Sequence, residues 1–364
     1  MIYVEGYALI TSLGKSAKAS VSALREENIK PISKPLFMDG IKYYKILDSK
    51  PLDYYDQIEQ VAKSAISHAN INPKEIENMA LFIGTSSAKL PLNEYYAQES
   101  GELLKDLYMS EVSEIIAKKL GIKGFRTIIS TACTSSANAL IQAKEMIESG
   151  LIKKALVVGV ELYNQLTLKG FDSFMLLTKT EMKPFDKDRD GIVLGEALSA
   201  VVLGHNPSQF SLVGGAVTID TSSITAPHHN NLKEVMSQAL KNADILPYEI
   251  ELIKAHATAS IQNDISEAKA INLIFSEKVP PILPLKPYIG HTMGACGTNE
   301  LVLFLESLKE GFIPKAIHFE NRDEACALTP NLEELEAKKG YYLLNYFGFG
   351  GNNSSLVMHY NKGV

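Results

Sequence analysis

The sequence has only three cysteines in 364 residues, and no paired spacing among them. That excludes a disulfide framework and points to a reducing compartment, the cytoplasm. No apolar run approaches the roughly 18–20 residues that span a bilayer, so no membrane partner is expected. The N-terminal stretch MIYVEGYALITSLG carries Glu5 and no basic segment. It reads as a first strand ending in a turn, not as a signal peptide. No basic block is present and the formal net charge is −6, which disfavours nucleic acid as a partner. A local basic patch for an acidic protein partner stays open, because steering depends on how charge is distributed.

Hydrophobic residues make up 46% and charged residues 21%, the composition of an ordinary globular chain. The length suggests two domains or one large layered one. Two distant stretches resemble each other: AISHANINPKEIE (65–77) and ALKNADILPYEIE (239–251) share seven of thirteen residues at an offset of 174. Each reads as a helix end, a turn with proline, and a strand. A second pair, 132–150 and 293–311, reads as a small-residue turn followed by a helix ending in glycine. Chance similarity of helix–turn–strand units is the alternative to duplication. The offsets imply extra residues in the first copy, placed around 89–115, where the pattern is helical and rich in tyrosine. The expectation is two α/β halves, 1–205 and 206–364, packed together with strands covered by helices.

Cys133 in STACTSSANAL lies between a hydrophobic run and an amphipathic stretch. At such a strand-to-helix turn, the free N–H groups and the helix dipole favour thiolate, the form that attacks carbonyl carbon. A packed small hydrophobe is the equal alternative. His256 follows a strand in IKAHATAS, and His291 lies in KPYIGHTMGACG. Both stand at strand ends, where ligands collect in α/β architectures. Two neutral imidazoles presenting Nε2–H to one oxygen stabilise an enolate. Lys286 and Glu300 flank His291 and, as a buried pair, would hold its loop. The run GFGG (348–351) offers close backbone approach and one large aromatic, or simply a tight turn. It lacks the context of a dinucleotide fingerprint. The adjacent His228 and His229 have no spaced partners, so no metal site is expected.

Five motifs in order are STACTSS, PFDKDRDGIVLGE (184–196), HATAS followed by Asn263-Asp264, KPYIGH and GFGGNN. Together they resemble the elongating β-ketoacyl-acyl-carrier-protein synthases over nearly the whole chain. The resemblance implies the thiolase fold, a duplicated αβαβα sandwich, and decarboxylative condensation of an acyl group on Cys133 with malonyl-carrier protein. By the same resemblance, His256 and His291 hold the enolate, and Lys286 with Glu300 positions His291. The N–H groups of Cys133 and Phe349 form the oxyanion hole, and Phe349 gates the acyl site. Thr258 and Ser260 bind the phosphopantetheine arm, with Gly348, Gly350 and Gly351 forming the substrate-side loop. No cofactor beyond that arm is implied. The expected partners are an acyl carrier protein and a second ketosynthase-like subunit, identical or not. The chain departs from the family in having Ala257 where a glycine is usual, and in its shorter loops. The stretch 164–186 is similar to synthases of polyene and pigment pathways. A low-activity partner of the chain-length-factor type is the competing reading.

Overall fold

The computed structural model describes residues 1–29, 40–101, 108–276 and 278–363. Ten strands form the main sheet system: β1 (Ile2–Thr11), β2 (Ala80–Gly84), β3 (Arg126–Ile129), β4 (Ala155–Glu161), β5 (Ala197–Gly204), β6 (Phe210–Ile219), β7 (Ile250–Ala255), β8 (Ile282–Pro284), β9 (Gly340–Phe347) and β10 (Asn352–Tyr360). Their order is β8-β7-β9-β10-β6-β1-β5-β4-β2-β3. From either edge inward, the first five strands and the last five follow the same sequence of positions. The pairings repeat as well. β2 runs parallel to β3 and β4, as β7 does to β8 and β9; β5 is antiparallel to β4 and β1, as β10 is to β9 and β6. The two fives meet where β1 pairs antiparallel with β6, Ile2 opposite Leu212. This is the duplication that the offset-174 similarity points to.

Among the described residues, one apolar core lies at the centre of the layers and one on the outer side of each five. Alternation along β2 and β4 shows why both faces of each strand are apolar: Ala80, Phe82, Ala155 and Val157 face the central core, and Leu81, Ile83, Leu156 and Val158 face an outer one. The central core holds two long helices, α4 (Ser135–Glu148) and α8 (Cys296–Lys309), packed on each other and on strands of both fives. The first outer layer contains α1 (Tyr54–His68) and α3 (Ser110–Leu120); the second contains α6 (His229–Ala243) and α7 (Ile261–Phe275). The result is an αβαβα sandwich.

The extra residues of the first copy are fewer than the sequence suggests. α3 packs on α1 and on β3, with Val112, Ile116 and Ala117 buried, as α7 packs on α6 in the second copy. It therefore belongs to the repeat. The addition that the structure shows is α2 (Leu90–Ser100) and its flanks, and residues 102–107 of the expected insertion lie outside the described ones. Among the described residues, no helix is long and apolar enough to cross a membrane.

Candidate active site

Cys133 lies in a single 3₁₀ turn, Ala132–Thr134, between β3 and α4. Ala132 takes a left-handed φ of +51°, which makes the sharp elbow that lifts the thiol toward the other half. Asn138 donates to Thr131 Oγ1 across this turn at 2.9 Å, and Asn299 donates to Thr292 Oγ1 at 2.7 Å across the matching turn before α8. The two elbows are thus built alike, and only the first carries a thiol at the cavity.

His291 follows β8. Its backbone is clamped on both sides by the GIVLG segment: its N–H donates to Val193 O (2.7 Å) and its carbonyl accepts from Gly195 N–H (3.0 Å). Its Nδ1 accepts from Met293 N–H at 3.2 Å, so the ring proton resides on Nε2, and Nε2 lies 3.1 Å from Cys133 Sγ. Cys296 is buried and also touches this ring, with Sγ 3.2 Å from Nδ1.

His256 follows β7. Glu267 on α7 accepts the N–H groups of His256 and Ala257, each at 2.8 Å. Asp264 ties the same turn to the PFD motif, accepting from Thr258 N–H (3.1 Å) and Phe185 N–H (2.8 Å). Ala257 and Ala259 have φ of +49° and +63°, so the position where the resemblance leads one to expect glycine does adopt left-handed backbone. The two imidazoles lie edge to face, ring centres 5.5 Å apart. Burial, reinforced by Lys286, holds both histidines well below the ordinary imidazole range, so both are neutral.

Lys286 is the main correction to the expected roles. It supports His256, not His291: its ammonium donates to His256 O (2.7 Å), to His256 Nδ1 (3.3 Å) and to Glu300 Oε1 (2.7 Å). The parallel pairing of β7 with β8 explains this, since Pro284 lies opposite Ala255 and the residues that follow each strand become neighbours. Donation to Nδ1 leaves the His256 proton on Nε2 as well. Lys286 and Glu300 are fully buried behind the histidine. Burial opposes both charges, yet their pairing keeps Lys286 above and Glu300 below their ordinary ranges.

Cys133, His256, His291, Thr258, Ser260 and Phe349 line one cavity, with Gly348 at its rim. Thr258 and Ser260 hydroxyls are 3.0 Å apart. Gly350 and Gly351, expected beside the substrate, instead bind the backbone of the 220–224 loop: Gly350 N–H donates to Ile224 O (2.9 Å), and Gly351 O accepts from Asp220 N–H (2.8 Å). Gly351 (φ +79°) is required there because a Cβ would collide with the Asp220 carbonyl.

The thiol differs from expectation. Burial pushes Cys133 up to about 11, although the Phe349 N–H, Lys286 and its own N–H pull the other way. It rests as a thiol, because loss of hydration outweighs these hydrogen bonds and the lysine charge. Sequence reading also misses several residues with roles in this geometry. Phe171, on α5 (Gln165–Ser173), stacks on Phe349 at 5.5 Å and meets His291 edge-on. Glu161, buried on β4, accepts from Ser86 N–H and Gly294 N–H, each at 2.9 Å, and joins the two halves. Among the described residues, no cluster of His, Cys, Asp or Glu is arranged to hold a metal.

A duplicated five-layer sandwich with a thiol from one half and two imidazoles from the other defines a thiolase-like protein built for thioester chemistry. The chain belongs to the β-ketoacyl synthase family, whose N-terminal domain model matches residues 56–207 and C-terminal domain model residues 210–320. A 3-oxoacyl-[acyl-carrier-protein] synthase 2 of Synechocystis is 28% identical over 88% of this chain and 84% of its own length. Synthase 1 of Escherichia coli is 32% identical over 68% of this chain, and a putative mitochondrial synthase of Schizosaccharomyces pombe 29% identical over 71%. These two alignments span only 64% and 66% of the relatives' lengths. Among solved structures, the ketosynthase ApeO in complex with its chain length factor ApeC, from Xenorhabdus doucetiae, matches at 27% identity. Its TM-score is 0.86, and the match covers 99% of this chain and 98% of that one. A β-ketoacyl synthase from Burkholderia phymatum shares the fold, at TM-score 0.88, 23% identity and 99% coverage of both chains.

Proposed function

We propose that the protein is a β-ketoacyl-acyl-carrier-protein synthase that condenses an acyl group held on Cys133 with malonyl-carrier protein. The carrying observation is the convergence of two neutral Nε2–H imidazoles on one cavity with a buried thiol 3.1 Å from His291. In the loading step, the Cys133 sulfur displaces the carrier's phosphopantetheine thiol from the acyl thioester, and the thiol proton passes to the leaving sulfur. His291 Nε2–H and the N–H groups of Phe349 and Cys133 lower the cost of negative charge on that sulfur and on the carbonyl oxygen. In the second step, malonyl thioester loses carbon dioxide. His256 and His291 donate Nε2–H to the enolate oxygen, and the enolate carbon attacks the acyl-Cys133 carbonyl. Cys133 leaves as thiolate and takes up one proton. Thr258 and Ser260 hold the phosphopantetheine arm, and Phe349 moves with Phe171 to admit the acyl chain.

The carrier is an acyl carrier protein, and the second subunit is another ketosynthase-like chain. The similarity to a ketosynthase that assembles with a chain length factor favours a heterodimer. Retention of the thiol, both histidines and the Lys286–Glu300 pair favours the condensing role over that of a silent partner. To test the reading, the acyl-loaded protein is given malonyl-carrier protein and 3-oxoacyl-carrier protein is followed by mass. His256→Ala and His291→Ala should each slow carbon dioxide release by roughly 10²–10³-fold. Stable acyl loading with no condensed product would refute the proposal.

A further inference from the structure

Behind His256 lies a second lysine that motif reading passes over. Lys254, on β7 two residues before His256, is fully buried, as are Lys286 and Glu300. Its ammonium donates to Glu300 Oε2 (2.5 Å) and to Asn345 O (2.7 Å), and stands 3.6 Å over the Tyr346 ring centre. Lys286 spends its three N–H groups on Glu300 Oε1, His256 O and His256 Nδ1. All six ammonium protons thus have a partner or a π-face, and each oxygen of Glu300 takes one ammonium. One directly bonded carboxylate serves two cations; Glu267 adds its charge to Lys286 only through space, and burial pushes Lys254 itself down to about 8. Buried charge is costly, and a chain carries it rarely without a use.

We infer that Lys254 is a positioning residue of this site: it fixes the Glu300 carboxylate that aims Lys286 at His256, and its charge keeps the His256 imidazole neutral during enolate formation. The inference rests on the condensing reading above. The groups that face His256 come from every side. Lys286 and His291 follow β8, and Lys254 lies on β7 itself. Glu300, bonded to Lys286, stands on α8, Glu267 and Asp264 on α7, and Cys133, which lies before α4, lines the same cavity. After burial itself, Lys286, then His291 and then Lys254 disfavour imidazolium at His256. Glu267 accepts from His256 and Ala257 backbone and from Asn345 Nδ2 (3.3 Å), with no direct bond to either ammonium.

Lys254→Met removes the charge and keeps the stem; Lys254→Gln removes the charge and keeps a donor toward Glu300. The rate of malonyl-carrier-protein decarboxylation is measured from pH 7.5 down to the lowest pH at which the protein stays folded, with the His256 ring signal followed by nitrogen NMR over the same range. In both variants the acid limb of the rate and the His256 titration should move up, from loss of one nearby buried charge. The ratio of variant to wild-type rate should therefore fall as pH drops. A constant ratio with an unmoved His256 titration, whatever the melting temperature does, would overturn the role of Lys254. Should the wild-type protein release no carbon dioxide, the condensing reading fails. The NMR titration still decides whether Lys254 sets the charge on His256.

Discussion

His256 stands on backbone that resists it. Ala257 and Ala259 both sit at positive φ, a region that costs an L-residue roughly 1–2 kcal/mol. Despite alanine at both positions, the imidazole still points into the cavity. Glu267 supplies the restraint by accepting the two successive N–H groups of His256 and Ala257. Replacing Glu267 with alanine strands both buried donors and should lower stability by about 2–6 kcal/mol in urea unfolding, at about 1–3 kcal/mol per group. Gln, which retains one acceptor, should cost less. Equal stability of the alanine variant and the wild type would show that the turn holds without this carboxylate. At this scale, the sequence exposes the nucleophile and both histidines, because small residues and strand ends mark them. It hides Lys254, Glu267 and the true partner of Lys286. Lys286 stands five residues from His291 but thirty from His256, and only the pairing of β7 with β8 reverses that closeness.

The site depends on how closely α4 and α8 approach. Gly297 opens the first turn of α8, and a Cβ there would collide with the backbone nitrogen of Ala137 on α4. Gly84, at the end of β2, meets Ser136 in the same way, a Cβ falling 2.5 Å from its backbone nitrogen. These contacts hold the Cys133 elbow against the His291 loop. Gly297→Ala should therefore destabilise the protein by about 1–3 kcal/mol, read as a lowered denaturant midpoint, because overpacking here must push backbone apart. An unchanged midpoint would mean the two helices have slack. Elements such as β2, β4 and β7 are legible from short apolar runs. The assignment of α3 to an insertion fails because its amphipathic pattern looks the same whether it covers a sheet or extends from it. Only the contacts with α1 and β3 separate the cases.

Across the whole molecule, the duplication assigns the chemistry. The first copy supplies the thiol at its elbow, and the second supplies both histidines and the buried lysine–glutamate node, from the strands at the matching sheet edge and from α8. The ordered motifs make this division legible in the sequence, since each falls at a strand end or turn of one copy. The resting state of the thiol is not legible, because burial is a property of the assembled halves. That burial holds Cys133 as thiol, up to about 11, and makes its reactivity depend on a thioester arriving between the N–H groups of Phe349 and Cys133. The most direct measurement is the intact mass of the protein after incubation with acyl-carrier protein, followed by peptide mapping. One acyl group per chain should appear on Cys133, and Cys133→Ala should carry none while Cys296→Ala still loads. An acyl group found on Cys296, or loading that survives in Cys133→Ala, would contradict the account.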